Sequence, residues 1–407
     1  MSNDHDGSPL DLERILVRYL AEELLTRRQL LHRISVVGAT VALAPIIAAC
    51  GTSEASATPG VASPTSAPSG TAGEPTATPE PTPQPTPEGE LFVYNWDAYI
   101  GEETQQKFQD KYGIKVTYDK FPDADTQLAK IRSDGKGAGY DITYPTSVDI
   151  PGLLRDGVIQ ALDLSLIPNA RNLGPEWVNP GYDANNAHSM PYMWWTTGFA
   201  WDGDKIKDDL TDWTTLWDER FKGHMGMLDD IREVFAVAGF RLNLSPNTTS
   251  DGDLDAMLQL LEQQKPLLRK YTADDIGDLT SGQLWITHAW SGDWGQMLTD
   301  KPKTKYVVPE SGAVRGSDTM VVLSGAPHPV AANLWIDFNL DAEISAGNSN
   351  TTYYMGPNAA ALALINPDIS GDPRINPAKA TLDKLVELLE LGPDLDKYTQ
   401  RWNALKA

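Results

Sequence analysis

The chain has 407 residues, with 33 basic and 56 acidic side chains, a formal charge of −23, 41% hydrophobic residues and one cysteine. This negative charge disfavours nucleic-acid binding, because phosphate recognition requires positive charge on the protein. One cysteine cannot form an internal disulfide or a thiolate zinc site, and the histidines include no pair at H-x-x-x-H spacing. We therefore expect neither a metal site nor a cofactor.

The first 49 residues have the pattern of an export signal. Residues 1–33 contain five arginines and no lysine, and an apolar run follows at 34–49. That run is shorter than the roughly 20 residues that span a bilayer, which disfavours a permanent transmembrane anchor. The pair Arg27 and Arg28 is similar to the twin-arginine signal, with general export as the alternative. We expect residues 1–49 to be a signal peptide.

The single cysteine, Cys50, follows the apolar run directly. The segment Ile47–Gly51 resembles a bacterial lipobox, in which the cysteine receives a lipid. The alternative is a buried free thiol, but the flanking segments offer no core that could bury it. We therefore expect lipidation at Cys50 and a mature chain that begins there.

A tether is predicted between the lipid and the folded part. Pro, Thr, Ser, Ala and Gly fill 32 of the 38 positions from 51 to 88, and such a segment cannot bury enough apolar surface to fold. At up to ~3.1 Å per residue, a disordered tether over 50–88 would hold the folded part on the order of 100 Å from the membrane. The predicted location is therefore extracytoplasmic and membrane-anchored, at the cell surface or in the periplasm.

Strands and helices alternate at the start of the folded part, residues 89–407. Strands are predicted at 91–95, 114–118 and 140–144, and helices at 102–112, 126–133 and 148–155. This βαβαβ order is typical of a mostly parallel sheet with helices on both faces. Ligands bind beyond the carboxyl ends of such strands, which here means residues 95–99 and 145–147.

The second half contains fewer recognisable strands and no enzyme motif. Helices are predicted at 213–221, 232–242, 254–271 and 329–338, and strands at 305–308 and 319–323. Nucleophile-elbow, P-loop and dinucleotide-binding motifs are absent from the sequence. Asp230 and Glu233 could imitate the carboxylate pair of an extracellular hydrolase, but no substrate-binding motif accompanies them. We therefore expect a protein that is not an enzyme.

Six segments, in this order along the chain, resemble the spermidine/putrescine-binding proteins of bacterial ABC importers. They are Leu91–Trp96, Gly139–Ile142, Met190–Trp194, Asp229–Phe235, Trp290–Asp293 and Tyr354–Asn358. The resemblance implies an α/β, two-domain periplasmic-binding-protein-like fold of type II, with mixed sheets, helices on both faces and a hinge cleft. It also implies a monomer that captures putrescine or spermidine and delivers it to an importer permease.

The same resemblance suggests which parts of the chain form each domain. One domain would contain residues 90–195 and 317–362, and the other residues 196–316 and 363–407. Each domain is therefore assembled from two separate stretches, and the chain crosses the hinge more than once. A ligand held between the domains would touch residues far apart in the sequence.

A polyamine site needs carboxylates at fixed separations with aromatic faces between them. Asp230 and Glu233 lie three residues apart at a helix start, so they can grip one cation; the alternative is that they complement the helix dipole. Asp97 is a candidate because it follows the first strand. The resemblance assigns the remaining ligand-binding residues: Trp96, Tyr99, Thr146, Trp290, Asp293, Asp318 and Tyr354.

Four positions depart from the family pattern. Val148 and Gly316 stand where the family carries aromatic rings, and Leu388 stands where it carries a polar contact. A missing ring weakens stacking by about 1–2 kcal/mol. Arg315, beside Gly316, would repel a polyamine if it turned inward. We predict that it points to solvent; an inward Arg315 would indicate a carboxylate-bearing or zwitterionic ligand. The altered walls leave another small cationic or zwitterionic solute as the alternative ligand.

Overall fold

The computed structural model of the protein describes residues 87–407. The predicted signal peptide, Cys50 with its predicted lipidation, and nearly all of the predicted tether lie outside the described residues. Within 87–407, no helix combines the length and the apolar character needed to cross a membrane.

Ten strands run through the described residues. They are β1 Glu90–Trp96, β2 Lys115–Phe121, β3 Ile142–Thr143, β4 Ser189–Asp202, β5 Met225–Leu228, β6 Leu268–Thr272, β7 Ile286–Trp290, β8 Thr304–Val307, β9 Val314–Val322 and β10 Val386–Glu387.

The described α-helices cover both faces of the strands. They are α1 Thr104–Tyr112, α2 Ala124–Arg132, α3 Ile150–Arg155, α4 Ile231–Leu242, α5 Asp251–Gln264, α6 Asp275–Thr280, α7 Ser291–Asp300, α8 Pro329–Asn339, α9 Ala342–Thr352, α10 Pro367–Ser370, α11 Lys379–Leu382 and α12 Leu395–Lys406.

The strands form one mixed sheet in the order β2-β1-β3-β9-β4-β7-β5-β6, with β10 on β9 and β8 on β4. β1 pairs in parallel with β2 and β3, and β5 pairs in parallel with β6 and β7. The two parallel groups are joined by the antiparallel strands β9 and β4. The predicted βαβαβ unit is therefore present, but the sheet as a whole is mixed.

The long strand β4 connects the two parallel groups. Its first half, through Thr196, pairs with β9, and its second half, from Thr197, pairs with β7. Separate hydrophobic clusters flank this change of partner: one packs α1 and α8 on β1 and β3, and another packs α4, α5 and α12 around β5. The carboxyl ends of β1, β3, β5 and β7 thus come together near the middle of β4.

Two predictions from periodicity were wrong, and the long strand β4 was missed. The predicted helix at 254–271 ends at Gln264, because Pro266 has no N–H for a helical hydrogen bond, and β6 follows. Residues 213–221 form short 3₁₀ turns instead of a helix. β4 was not predicted, because nearly all of its residues are buried and it therefore shows no alternation.

Candidate ligand-binding site

The carboxyl end of β1 places an aromatic pair at the middle of the sheet. The Trp96 indole N–H donates to the Tyr144 carbonyl oxygen at 2.9 Å, which holds the half-buried ring across the end of β3. Tyr99 follows a turn in which Ala98 has a φ of 51°, and its buried ring meets Tyr354 edge-on with centroids 4.9 Å apart. The structure brings Trp96, Tyr99 and Tyr354 to one region.

Asp97 lies apart from this aromatic group. Its side chain is 68% exposed, and one carboxylate oxygen is 2.5 Å from Lys120 Nζ on β2. The turn that buries Tyr99 directs the preceding aspartate outward. Of the ten residues predicted to bind ligand, Asp97 is the most exposed.

Asp318 lies on β9 opposite Thr146, and the two residues form a bridge between strands. The Thr146 hydroxyl donates to Asp318 Oδ1 at 3.1 Å, and the carboxyl group is almost fully buried. Burial raises the Asp318 pKa to about 7; the nearby Tyr99 and Thr146 hydroxyls act in the opposite direction. The Tyr99 hydroxyl lies near the Asp318 carboxyl group, but the two groups do not form a hydrogen bond.

Asp230 and Glu233 have different roles at the start of α4. Asp230 is the N-cap of α4, and its Oδ1 accepts the Glu233 backbone N–H at 2.9 Å. Asp230 therefore stabilises the start of the helix, as in the alternative given for this pair. The Glu233 side chain instead turns inward and is 4% exposed. Its Oε1 accepts from Thr197 Oγ1 at 3.0 Å and from Trp290 Nε1 at 3.3 Å.

The second oxygen of Glu233, Oε2, has no hydrogen-bond partner within residues 87–407. Burial, and then the negative charge of Asp230, raise the Glu233 pKa to about 8. An unpartnered buried carboxylate oxygen is costly unless a cation or a proton satisfies it. Glu233 is therefore the acid of this helix end that is available to a ligand.

Asp293 and Tyr354 form a third polar contact. Asp293 lies in the first turn of α7, and its Oδ1 accepts the Tyr354 hydroxyl at 2.7 Å. Tyr353, at the end of α9, has a left-handed backbone that turns the chain toward α7. A Cβ on Gly292 would lie only 2.1 Å from the Tyr354 ring, so the glycine permits the close approach. Burial raises the Asp293 pKa to about 6.

Sequence reasoning missed Asp275, which lies beside Asp293. It is the first residue of α6, only 3% exposed, and its Oδ2 has no hydrogen-bond partner in the described part of the chain. Burial, followed by the charge of Asp293, raises its pKa well above the ordinary value. Asp275 was not recognised as a site residue because β6, the strand that ends just before it, was predicted as part of a helix.

Trp195 is the second residue that sequence reasoning missed. It lies on β4, is 7% exposed, and its ring is T-shaped to Trp290 with centroids 6.5 Å apart. Trp290 itself is half-buried at the end of β7. Because the whole β4 segment is apolar, no pattern in the sequence separates this tryptophan from core residues.

Arg315 is ion-paired with the segment that follows α11. Its guanidinium is 2.7 Å from Glu387 Oε1, and its side chain is 37% exposed. The positive charge is therefore matched by an acid on β10. Leu388, the next residue, is half-buried.

Residues 103–377 match a family model described as a bacterial extracellular solute-binding protein. A spermidine/putrescine-binding periplasmic protein of Salmonella typhimurium is 28% identical over 319 residues, covering 78% of this chain and 91% of the relative. A putrescine/cadaverine-binding protein of Pseudomonas aeruginosa is 30% identical and covers 74% of this chain and 89% of its own length.

A solved structure extends the similarity to the fold. The substrate-binding protein of a spermidine/putrescine ABC transporter of Streptococcus pneumoniae superposes with a TM-score of 0.67 at 28% identity. The match covers 78% of this chain and 99% of that protein. The described globule therefore corresponds to essentially the whole of that relative.

Proposed function

This chain belongs to the family of bacterial extracellular solute-binding proteins, and from that premise we propose that it captures putrescine or spermidine and delivers it to an ABC importer. The proposal extends to this chain what the names of its relatives say of them. The predicted type II periplasmic-binding-protein fold is confirmed. The family is extracellular or periplasmic, so the ligand is met outside the cytoplasm.

One observation carries the ligand class. Asp318, Glu233 and Asp293 are acids at the carboxyl ends of the strands or beside them, and none forms an ion pair with Lys or Arg within residues 87–407. Carboxylates removed from water require a positive partner. A diamine or polyamine supplies several ammonium groups, and its methylenes suit the rings of Trp96, Tyr99, Trp290 and Tyr354.

We assign the acids to two domains that close over the ligand. Asp318 and Thr146 belong to the domain of residues 90–195 and 317–362, and Glu233 and Asp293 to the domain of residues 196–316 and 363–407. A ligand stabilises the closed state only through interactions that the open state lacks. Acids on opposite sides of the hinge meet that requirement, since one polyamine then bridges both domains.

The alternative ligand, another small cation or a zwitterion, rests on the altered aromatic walls, and an inward Arg315 would favour a zwitterion. The ion pair of Arg315 with Glu387 supports the polyamine instead, because a guanidinium that is already paired has little to offer a ligand carboxylate. Titration with 4-aminobutyrate, a zwitterion with one carboxylate, distinguishes the two. Binding of that compound in preference to putrescine would favour the alternative.

We assign no catalytic step to this protein. The hydrolase alternative required Asp230 and Glu233 to act as a pair around a scissile bond, but Asp230 caps α4 through its Oδ1. That hydrogen bond leaves Glu233 as the single acid of the pair that faces inward. Turnover of generic glycosides or esters above the buffer rate would overturn this assignment.

The test of the proposed function is calorimetric titration of protein that has been unfolded, freed of bound ligand and refolded. Putrescine or spermidine should bind saturably to the wild type. Asp318→Asn should weaken binding about thirtyfold, near 2 kcal/mol, because it removes a buried negative charge from an ammonium group. The matched control is Asp209→Asn, an 88% exposed acid, which should bind as the wild type does. Absence of binding to both amines would contradict the polyamine assignment.

A lipid on Cys50 would keep the protein at the membrane, where the importer is. We expect Cys50→Ser to move the protein from the membrane fraction to the soluble extracytoplasmic fraction, because a serine cannot receive the thioether-linked lipid. Fractionation followed by immunoblotting measures the change. A Cys50→Ser protein that stays in the membrane fraction would show instead that residues 34–49 act as the anchor.

A further inference from the structure

Trp195 and Gly316 face each other across the antiparallel pair of β4 and β9. A Cβ built on Gly316 would lie 2.5 Å from Cζ2 and 2.9 Å from Cε2 of Trp195. The indole therefore lies directly over the glycine, where any larger residue would displace it. This close approach requires a glycine at position 316. The aromatic ring expected there is absent because Trp195, on the facing strand, occupies the space.

The indole lies on the face of β9 that carries Asp318. Residues two apart on a strand project to the same face, and directly opposed residues on neighbouring strands share a face. Trp195, Gly316 and Asp318 therefore line one side of the sheet. Since the Asp318 carboxyl group turns toward Thr146, this side is the one that leads to the candidate site.

The indole N–H, which is bonded to the Cε2 atom that lies over Gly316, is near Glu233. Trp195 contributes to lowering the Glu233 pKa against the effect of burial, although its Nε1 does not meet hydrogen-bond geometry. That N–H and Glu233 Oε2 are both buried, and neither has a hydrogen-bond partner among residues 87–407. The buried Glu233 Oε2, an acceptor without a donor among these residues, indicates that a further donor such as an ammonium group completes the site beside Trp195.

We infer that Trp195 is a ligand-contacting aromatic wall, which packs on the methylene chain of a polyamine between the ammonium groups held by Glu233 and Asp318. This inference rests on the proposed function. The ring is supplied by Trp195 on β4, opposite Gly316, the position on β9 where the resemblance led us to expect an aromatic ring. Trp195 and Trp290, which meet edge to face, form two sides of the same wall.

Exchanging the two residues tests the inference. Trp195→Gly should weaken the binding of putrescine and spermidine about tenfold or more, through loss of stacking and cation–π contact. Gly316→Trp alone should lower the melting temperature, because the new side chain collides with Trp195. The double variant returns one ring to the same space, and we expect its affinity to come within about threefold of the wild type.

The matched control is Trp217→Gly, which removes a half-buried indole that donates to the Leu260 carbonyl oxygen. It should lower the melting temperature without changing affinity. If the double variant does not fold, Trp195→Phe and Trp195→Leu provide the test. Trp195→Phe keeps an aromatic ring and should therefore bind putrescine and spermidine more tightly than Trp195→Leu.

Two results would overturn the inference. If wild type binds an amine and Trp195→Gly or Trp195→Leu binds it equally well, Trp195 only packs the core, and the proposed function stands. If the wild type binds neither amine, the proposed function fails, and the inference that rests on it fails too. The wild-type titration therefore distinguishes the two failures.

Discussion

Glu233→Gln should reduce polyamine affinity by two to three orders of magnitude, about 3–4 kcal/mol, the largest effect that we expect from a single substitution. Truncating one partner of a buried, hydrogen-bonded charge pair typically costs 2–5 kcal/mol. The amide keeps the shape of the side chain and can still accept from Thr197 and Trp290 at Oε1. It removes only the charge that an ammonium group needs.

The same substitution should affect the empty protein in the opposite direction. Burial without a cationic partner raises the Glu233 pKa to about 8, so above that pH the empty protein carries an uncompensated charge. Glu233→Gln removes this charge, and we expect the melting temperature of the ligand-free protein at pH 8.5 to rise or stay unchanged. Calorimetric titration and thermal unfolding of the same samples measure both effects.

The control for this prediction is Glu103→Gln, which changes a glutamate that is 77% exposed and paired with Lys107. Solvent-exposed ion pairs of this kind contribute little to stability, so neither affinity nor melting temperature should change much. A Glu233→Gln protein that binds putrescine and spermidine as tightly as wild type would contradict the role of Glu233. Loss of both binding and folding would instead show that Glu233 is structural.

Polyamine affinity should rise on the order of a hundredfold between pH 6 and pH 8, the second large effect that we expect. The pKa is raised to about 6 for Asp293, about 7 for Asp318 and about 8 for Glu233. In the empty protein at pH 6, Asp318 and Glu233 largely hold protons and Asp293 is about half protonated, and an ammonium group must displace these protons. Each released proton changes the affinity up to about tenfold per pH unit.

The stability of the ligand-free protein should show the converse dependence. A carboxyl group whose pKa is higher in the folded than in the unfolded state binds more protons when folded, so stability falls as pH rises. The contribution of these acids is therefore fully present below about pH 4 and is lost as pH rises through about 6 to 8. Saturating spermidine should restore stability at pH 8.

Two measurements check the linkage. Calorimetric titration in buffers of different ionisation enthalpy counts the protons released on binding, and thermal unfolding from pH 5 to 8.5 gives the stability of the empty protein. Glu233→Gln should flatten the affinity profile above pH 7, because it removes the group with the highest of the three pKa values. An affinity that does not change between pH 6 and 8 would show that the acids are already ionised when the cleft is empty.

The sequence by itself determined the first half of the fold. Strands predicted at 91–95 and 114–118 correspond to β1 and β2, and the helix predicted at 329–338 corresponds to α8. Each is short and bounded by turn residues, so its limits can be recognised in the local sequence. The family also followed from the order of short segments, and the match at residues 103–377 confirms it.

Only the tertiary structure decided which of the candidate residues come together. Asp230 and Glu233 are equivalent by spacing, yet one caps α4 and the other turns inward. Asp97 and Tyr99 both follow β1 and were both predicted to bind ligand. The left-handed residue between them, Ala98, directs Asp97 outward. Such differences depend on one backbone angle or one cap, which hydrophobic periodicity does not record.

Asp275 and Trp195 were out of reach of sequence reasoning for a related reason. Asp275 meets Asp293 because α6 and α7 pack side by side, and Trp195 covers Gly316 because of the register of β4 on β9. Register and helix packing join residues far apart in the chain, and they are set by the fit of the whole core. The sequence determined which chemical groups the protein carries; the tertiary structure decided which of them a ligand meets.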